Sequence, residues 1–382
     1  MDATTILANV REVAARFAGE RAERQQRRSL VAADFAHLRD AGFLLTGVPV
    51  EDGGIWQDVR HSARPVCDAL RALAHGDSSV ALVSSMHPSV LNFWLNTTEV
   101  PAAYQRGWAA QRHHYFATAR DGAWWGTITS EPGTGGDLAR TAATARATST
   151  EGSYLLTGSK HFGSGSGITS YMITSALAEG ETSPGLFVLD MRGVPWDGSA
   201  GVTLTAPWDG QGMAATQSHA MTFRDFPAAR SAWPASFVNF QDAGGGFVAA
   251  AFSAVIVGIA ETAVERARRE VTRRRDTLRA YERVEWTKAE TEGWLIQQAY
   301  EGMLRAIEEG TEGRRRAVQA KMAIAELAES ATGRICRLVG GGSFSRSSPF
   351  GHWYEDVRAL GFLRPPWGLA YDNLFEWSCT PS

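Results

Sequence analysis

Fourteen consecutive residues without a charge, FVAAAFSAVIVGIA from Phe247 to Ala260, constrain this chain more than any other feature. A helix over that stretch is apolar on every face, so other elements have to wrap it on all sides. The run is too short to span a hydrocarbon layer, which needs about 20 such residues. We therefore expect the central helix of a bundle, and a chain of 382 residues is long enough to bury it.

The flanks supply candidates for the wrapping. Upstream, VREVAARFAGERAERQQRR and SLVAADFAHLRDAG carry apolar residues three and four apart, and Gly42 closes the second stretch. ARPVCDALRALAHGDSSVALVSSMHPSVLNFW continues the pattern, with Asp77 or Ser78 as an N-cap. Between Trp124 and Pro234 the texture changes to short runs such as YLLTGSKHF, SYMITSALA and LFVLDM, punctuated by Gly and Pro, which predicts seven or eight strands. Helical pattern returns at Ala235, in one long stretch running to ERVEW, a second in EGWLIQQAYEGMLRAIEEG and a third ended by the glycines at 340–342. A short helix in the tail is expected to stop at Pro365-Pro366. The reading is an α+β chain: helical domain 1–123, β domain 124–234, helical bundle 235–382.

Composition removes several functions. A net charge of −3 gives no field to recruit nucleic acid or an anionic membrane. Of the 38 basic residues only Lys160, Lys288 and Lys321 are lysines. Cys67, Cys336 and Cys379 are odd in number and widely spaced, which predicts reduced thiols in a cytoplasmic protein and neither a disulfide framework nor a metal site. The first residues have no basic then apolar leader pattern. A GxGxxG after a strand, a GKS or GKT loop, GxSxG and HExxH are all missing.

Four passages, in this order and at these separations, resemble the acyl-CoA dehydrogenase superfamily across essentially the whole chain. They are LRDAGFLLTGVPVEDGG (Leu38 to Gly54), TSEPGTGGD (Thr129 to Asp137), LTGSKHFGSGSG (Leu156 to Gly167) and RLVGGGSFSRSSPFGHWYEDVR (Arg337 to Arg358). The resemblance implies an N-terminal helical domain, a middle β-barrel or sandwich domain and a C-terminal four-helix bundle, assembled as a homodimer or homotetramer around FAD. It places Phe162 against the isoalloxazine, Ser164 near N5, and Thr129 and Ser130 at the flavin edge. The residues themselves suit these places, since a strand aromatic supplies a wall and a hydroxyl two positions on is expected on the same side. Asp137 is expected to cap local N–H groups, with Gly136 in place of the family's serine. By the same resemblance Arg274 reaches a neighbouring subunit's FAD pyrophosphate, although Thr277 replaces the adenine-facing Phe and six further arginines crowd Arg266 to Arg279. Gly340 and Gly341 fall where backbone approaches the cofactor.

One group is missing. Desaturating an acyl thioester removes an α-proton, which requires a carboxylate opposite the flavin. The family keeps it at one of two places, which here are Arg364 and Val248. Three readings follow. The first is an oxidoreductase acting on a CoA- or carrier-bound acyl thioester with a relocated base, from His87, His352 or Glu282, and passing electrons to an electron-transfer flavoprotein. The second is a flavin monooxygenase similar to dibenzothiophene monooxygenase, using reduced FMN or FAD from a flavin reductase as co-substrate, with His87 and Ser164 beside the reacting oxygen. The third is a non-catalytic or DNA-binding flavoprotein, which the net charge disfavours. Arg364 is expected to grip an anionic group where the base would stand.

Overall fold

The computed structural model describes residues 1–242 and 244–379. Six helices come first: α1 (Ala3–Gly19), α2 (Arg21–Arg24), α3 (Ala32–Asp40), α4 (Val59–Ala74), α5 (Ser78–Asn96) and α6 (Gln105–Arg120). Asp77 caps α5, its carboxylate accepting the Val80 N–H at 2.9 Å. Gly42 follows α3 at φ +86°, a left-handed step open to glycine.

Seven strands follow: β1 (Trp125–Thr127), β2 (Thr144–Ala147), β3 (Ser153–Gly163), β4 (Tyr171–Ala178), β5 (Gly185–Asp190), β6 (Val202–Ala206) and β7 (His219–Arg230). β4 pairs with β2, β2 with β3, β3 with β7, β7 with β5, and β5 returns to β4, so the sheet closes on itself. Closure removes edges, and Leu156, Met172, Phe187, Met221 and Phe223 fill the interior. β1 adds in parallel to β4, and β6 lies along β7.

The last segment holds α7 (Phe237–Asp242), α8 (Phe247–Arg273), α9 (Ala280–Glu309), α10 (Gly313–Val339), α11 (Pro349–Val357) and α12 (Trp367–Cys379). The uncharged run forms the first half of α8. By length and composition α8 could cross a membrane, but 83% of its most apolar window is buried by neighbouring helices. It packs on α4, where Gly258 leaves room for the Arg71 carbonyl, and on α5, α9 and α10. Trp56 meets Phe247 edge-on at 4.8 Å. One hydrophobic core therefore runs through both helical segments, while the barrel keeps its own.

Two boundaries differ from the sequence reading. The long helical stretch breaks between Arg274 and Arg279, so ERVEW belongs to α9, which continues unbroken to Glu309. Pro365 and Pro366 do not end a helix; α11 stops at Val357, and the prolines lead into α12.

Candidate functional site

A cavity of about 350 Å³ opens where the barrel meets α5, α8, α10 and α12. Met86, Ser89, Val90 and Phe93 reach it from α5 at helical spacing. The start of α8 gives Phe247, Val248 and Phe252; Val318 comes from α10, and Leu369, Asn373 and Trp377 from α12. The loop after β1 contributes Thr129, Gly136 and Asp137, and Arg364 stands opposite. The two positions where the family keeps its base, Val248 and Arg364, thus converge on one space.

Arg364 is held by neutral acceptors. It donates to the Gly136 carbonyl at 2.7 Å, to Thr129 Oγ1 at 3.1 Å and to Ser130 Oγ at 3.3 Å. Among the described residues no carboxylate makes an ion pair with it. Burial lowers its pKa to about 10, offset in part by Asp137, so it stays charged at neutral pH. Asp137 does cap as expected: its Oδ1 accepts the Ala139 N–H at 2.9 Å.

Two of the three lysines brace this arginine from behind. Lys160, on β3 and wholly buried, donates to Glu131 Oε1 at 2.5 Å and to the Ser175 carbonyl at 2.6 Å. Glu131 also accepts the N–H groups of Ala142 and Ala143, which fixes the loop that carries Thr129 and Ser130. Burial pushes the Lys160 ammonium down to about 8, Glu131 opposing and Arg364 adding to the shift. Lys321, on α10 and equally buried, donates to the Pro365 carbonyl at 2.9 Å and is pushed by burial down to about 7. Sequence reasoning singled out neither role, although lysine retained in an arginine-rich chain was a visible signal.

Phe162 and Ser164 do not share a side. β3 bulges between Lys160 and Gly163, and Phe162 takes φ +58°, which resets the alternation. Phe162 is 59% exposed, with Trp208 edge-on at 6.2 Å. Ser164 turns inward, buried, and its hydroxyl meets Ser218 Oγ at 2.8 Å. An isoalloxazine needs a flat apolar wall and polar groups at its edge. The exposed ring of Phe162 fits the first requirement, with Trp208 standing edge-on beside it. Ser130 fits the second, since its carbonyl accepts the His161 N–H at 2.8 Å and brings it beside that wall. Ser164 is not available.

The candidate bases fail for separate reasons. His87 is 0% exposed and both ring nitrogens are used: Nδ1 accepts the Trp125 N–H at 3.2 Å, so Nε2 carries the proton donated to the Leu44 carbonyl at 2.9 Å. It points away from the α5 face that lines the cavity. Glu282 caps α9 by accepting the Arg279 N–H at 2.7 Å, and that bond with the Arg274 pair holds its pKa low. His352 meets the Arg346 carbonyl at 2.9 Å, outside the cavity lining.

Arg274 is paired at 2.8 Å with Glu282 of its own chain. Arg266, Arg268, Arg269 and Arg273 are likewise matched by Glu270, Glu265 and Glu290, which makes this helix face a laced surface. Gly340 and Gly341 sit in an open turn with nothing near either Cβ, followed by Phe344, which is 97% exposed.

Comparison with known proteins gives the family and the fold. The acyl-CoA dehydrogenase middle domain matches residues 126–226, and the acyl-CoA dehydrogenase C-terminal domain matches residues 247–364. An amino sugar nitrososynthase from Streptomyces peucetius is 27% identical over 354 residues, covering 87% of this chain and 82% of that protein. KijD3 in complex with FMN and dTDP-3-amino-2,3,6-trideoxy-4-keto-3-methyl-D-glucose has a TM-score of 0.81 at 22% identity, covering 98% of this chain and 93% of that one. FMN-bound TdsC from Paenibacillus sp. A11-2 has a TM-score of 0.79 at 19% identity, covering 98% and 97%. With two of its domains matched over more than half of the sequence, the chain belongs to the acyl-CoA dehydrogenase superfamily of flavin-dependent oxidoreductases.

Proposed function

We propose that this chain is a monooxygenase that takes reduced FMN from a separate reductase. The observation that carries this is Arg364, a guanidinium where α-proton removal needs a carboxylate. It accepts no proton at working pH, and Val248 at the alternative place is inert. The remaining carboxylate among the described lining residues, Asp137, is engaged as a cap.

FMN is preferred to FAD because Arg274, the residue for a neighbour's pyrophosphate, is already neutralised by Glu282, and Thr277 offers no ring to an adenine. The name of the Streptomyces relative and the FMN in both structural neighbours support oxygen insertion over desaturation. When bound and reduced, the flavin supplies the two electrons that divide dioxygen between substrate and water. The chain's part is to wall the ring with Phe162, to present hydroxyls at Thr129 and Ser130, and to exclude water with the apolar lining.

Anaerobic titration is expected to show reduced FMN binding at least several-fold tighter than reduced FAD. In air, oxygen uptake is expected only with a flavin reductase present. Bleaching of the protein-bound oxidised flavin by butyryl-CoA or octanoyl-CoA without oxygen would instead return the chain to the thioester dehydrogenases.

A further inference from the structure

We propose that Asn373 on α12 is the residue by which the cavity selects its substrate, through a hydrogen bond to a hydroxyl or carbonyl group on an otherwise apolar molecule, with the Thr127 hydroxyl on β1 as a second contact. The inference takes from the proposed function that this cavity is the substrate's place.

Most polar groups around the space are already engaged. Arg364 donates to three acceptors, and the Arg314 guanidinium stands over the Trp377 ring at 5.5 Å. Asp137 caps Ala139. Among the described residues, the hydroxyl and amide side chains of the lining are those of Ser89, Thr127, Thr129 and Asn373. The Ser89 oxygen is too deeply buried to meet a ligand. Thr129 Oγ1 accepts from Arg364 at 3.1 Å. Thr127 and Asn373 differ from both. Each is half-buried, and neither side chain has a hydrogen-bond partner among the described residues, while their polar atoms stay accessible.

The elements that carry the two residues set their places. Asn373 lies one turn from Leu369 and one turn from Trp377, so its amide is the polar point of an otherwise apolar face of α12. Asparagine is a weaker helix former than leucine, so helix stability does not account for it there. Thr127 ends β1 beside its register partner Ile173 on β4, which lines the same wall. An amide and a hydroxyl each donate and accept, which matches a hydroxyl or a carbonyl. A few convergent polar groups in an apolar lining are what orient a small ligand, and at about 350 Å³ the space suits a compact one.

Calorimetry on the full chain loaded with oxidised FMN tests this with benzyl alcohol, its isostere ethylbenzene, and benzoate. Asn373→Leu keeps the volume and the helix but removes the amide. It is expected to weaken benzyl alcohol about fivefold, the weight of one uncharged hydrogen bond, and to leave ethylbenzene unchanged or tighter. Adding Thr127→Val, which keeps the shape of that side chain, is expected to weaken the alcohol further and again to spare ethylbenzene. Benzyl alcohol that binds the double variant as tightly as the wild type overturns the proposal. So does an equal loss for ethylbenzene, which would mean that the variants damage the cavity rather than one contact. Benzoate losing more than benzyl alcohol on Asn373→Leu would make this an anion seat and overturn it too. Absence of saturable benzyl alcohol binding to the wild type overturns it whether or not the variants fold. No oxygen or reductant is used, so these failures leave the monooxygenase reading standing. Flavin bleaching by an acyl-CoA with the Asn373 dependence intact would sink that reading alone.

Discussion

Lys160→Met is expected to lower the unfolding free energy by about 3–5 kcal/mol, the usual cost of removing one member of a buried ion pair. Lys160 is inaccessible to solvent and its pKa is held near 8, so it is charged at pH 7 and neutralises Glu131. Without it, a carboxylate remains buried beside the barrel with only backbone N–H donors from Ala142 and Ala143. Lys160→Met combined with Glu131→Gln removes both charges and keeps the acceptor, and most of the loss is expected to return. Urea unfolding at pH 7 measures both. A single-variant loss below about 1 kcal/mol would mean that desolvation already cancels the attraction. The damage is also expected to reach the site, because Glu131 fixes the loop presenting Thr129 and Ser130 to Arg364. Reduced FMN should therefore bind more weakly to the single variant than to the double.

What the sequence made legible is what rests on local pattern. The uncharged run had to be a wrapped helix, and α8 is one; Asp77 and Gly42 mark helix ends by side-chain and backbone chemistry that acts over three residues. The positions of Val248 and Arg364 were legible through family spacing, and they meet in one cavity. What failed needed information from outside the local segment. The period of two misplaced Ser164 because a bulge, set by the pairing of β3 with β7, intervenes after Lys160. α5 is buried on every face from Ser79 to Leu95, so its pattern gave no clue that Met86, Ser89 and Phe93 meet the cavity while His87 faces elsewhere. A proline pair looks alike at a helix exit and a helix entry, and here it precedes α12. The lysines were the overlooked signal: a compact ammonium fits a buried point contact that a planar guanidinium does not.

His87 is expected to make the fold acid-sensitive rather than to take part in the reaction. Burial lowers its pKa from 6.5 to about 4, its bond to the Leu44 carbonyl only partly opposing. Between those values the unfolded chain binds a proton that the folded chain excludes, so stability is full above pH 6.5 and falls as pH drops toward 4. The contribution at stake is roughly 3 kcal/mol, at 1.36 kcal/mol for each unit of pKa. Asp356 works against it. Burial raises that carboxyl to about 6 from 3.8, so the folded chain gains its proton first and is favoured by acid over the same range. A single melting curve would blend the two, and the informative quantity is a difference. His87→Gln keeps a donor for Leu44 and an acceptor for Trp125 but does not titrate. Urea unfolding of both proteins at pH 7 and pH 4.5 should show the wild type losing more stability than the variant, with Asp356 cancelling. Equal losses would mean that the imidazole is not held neutral, which would reopen it as a proton carrier. If the larger wild-type loss is found, no step of the reaction should follow a group of pKa near 6.5 at this position, because the folded imidazole has no free nitrogen to offer.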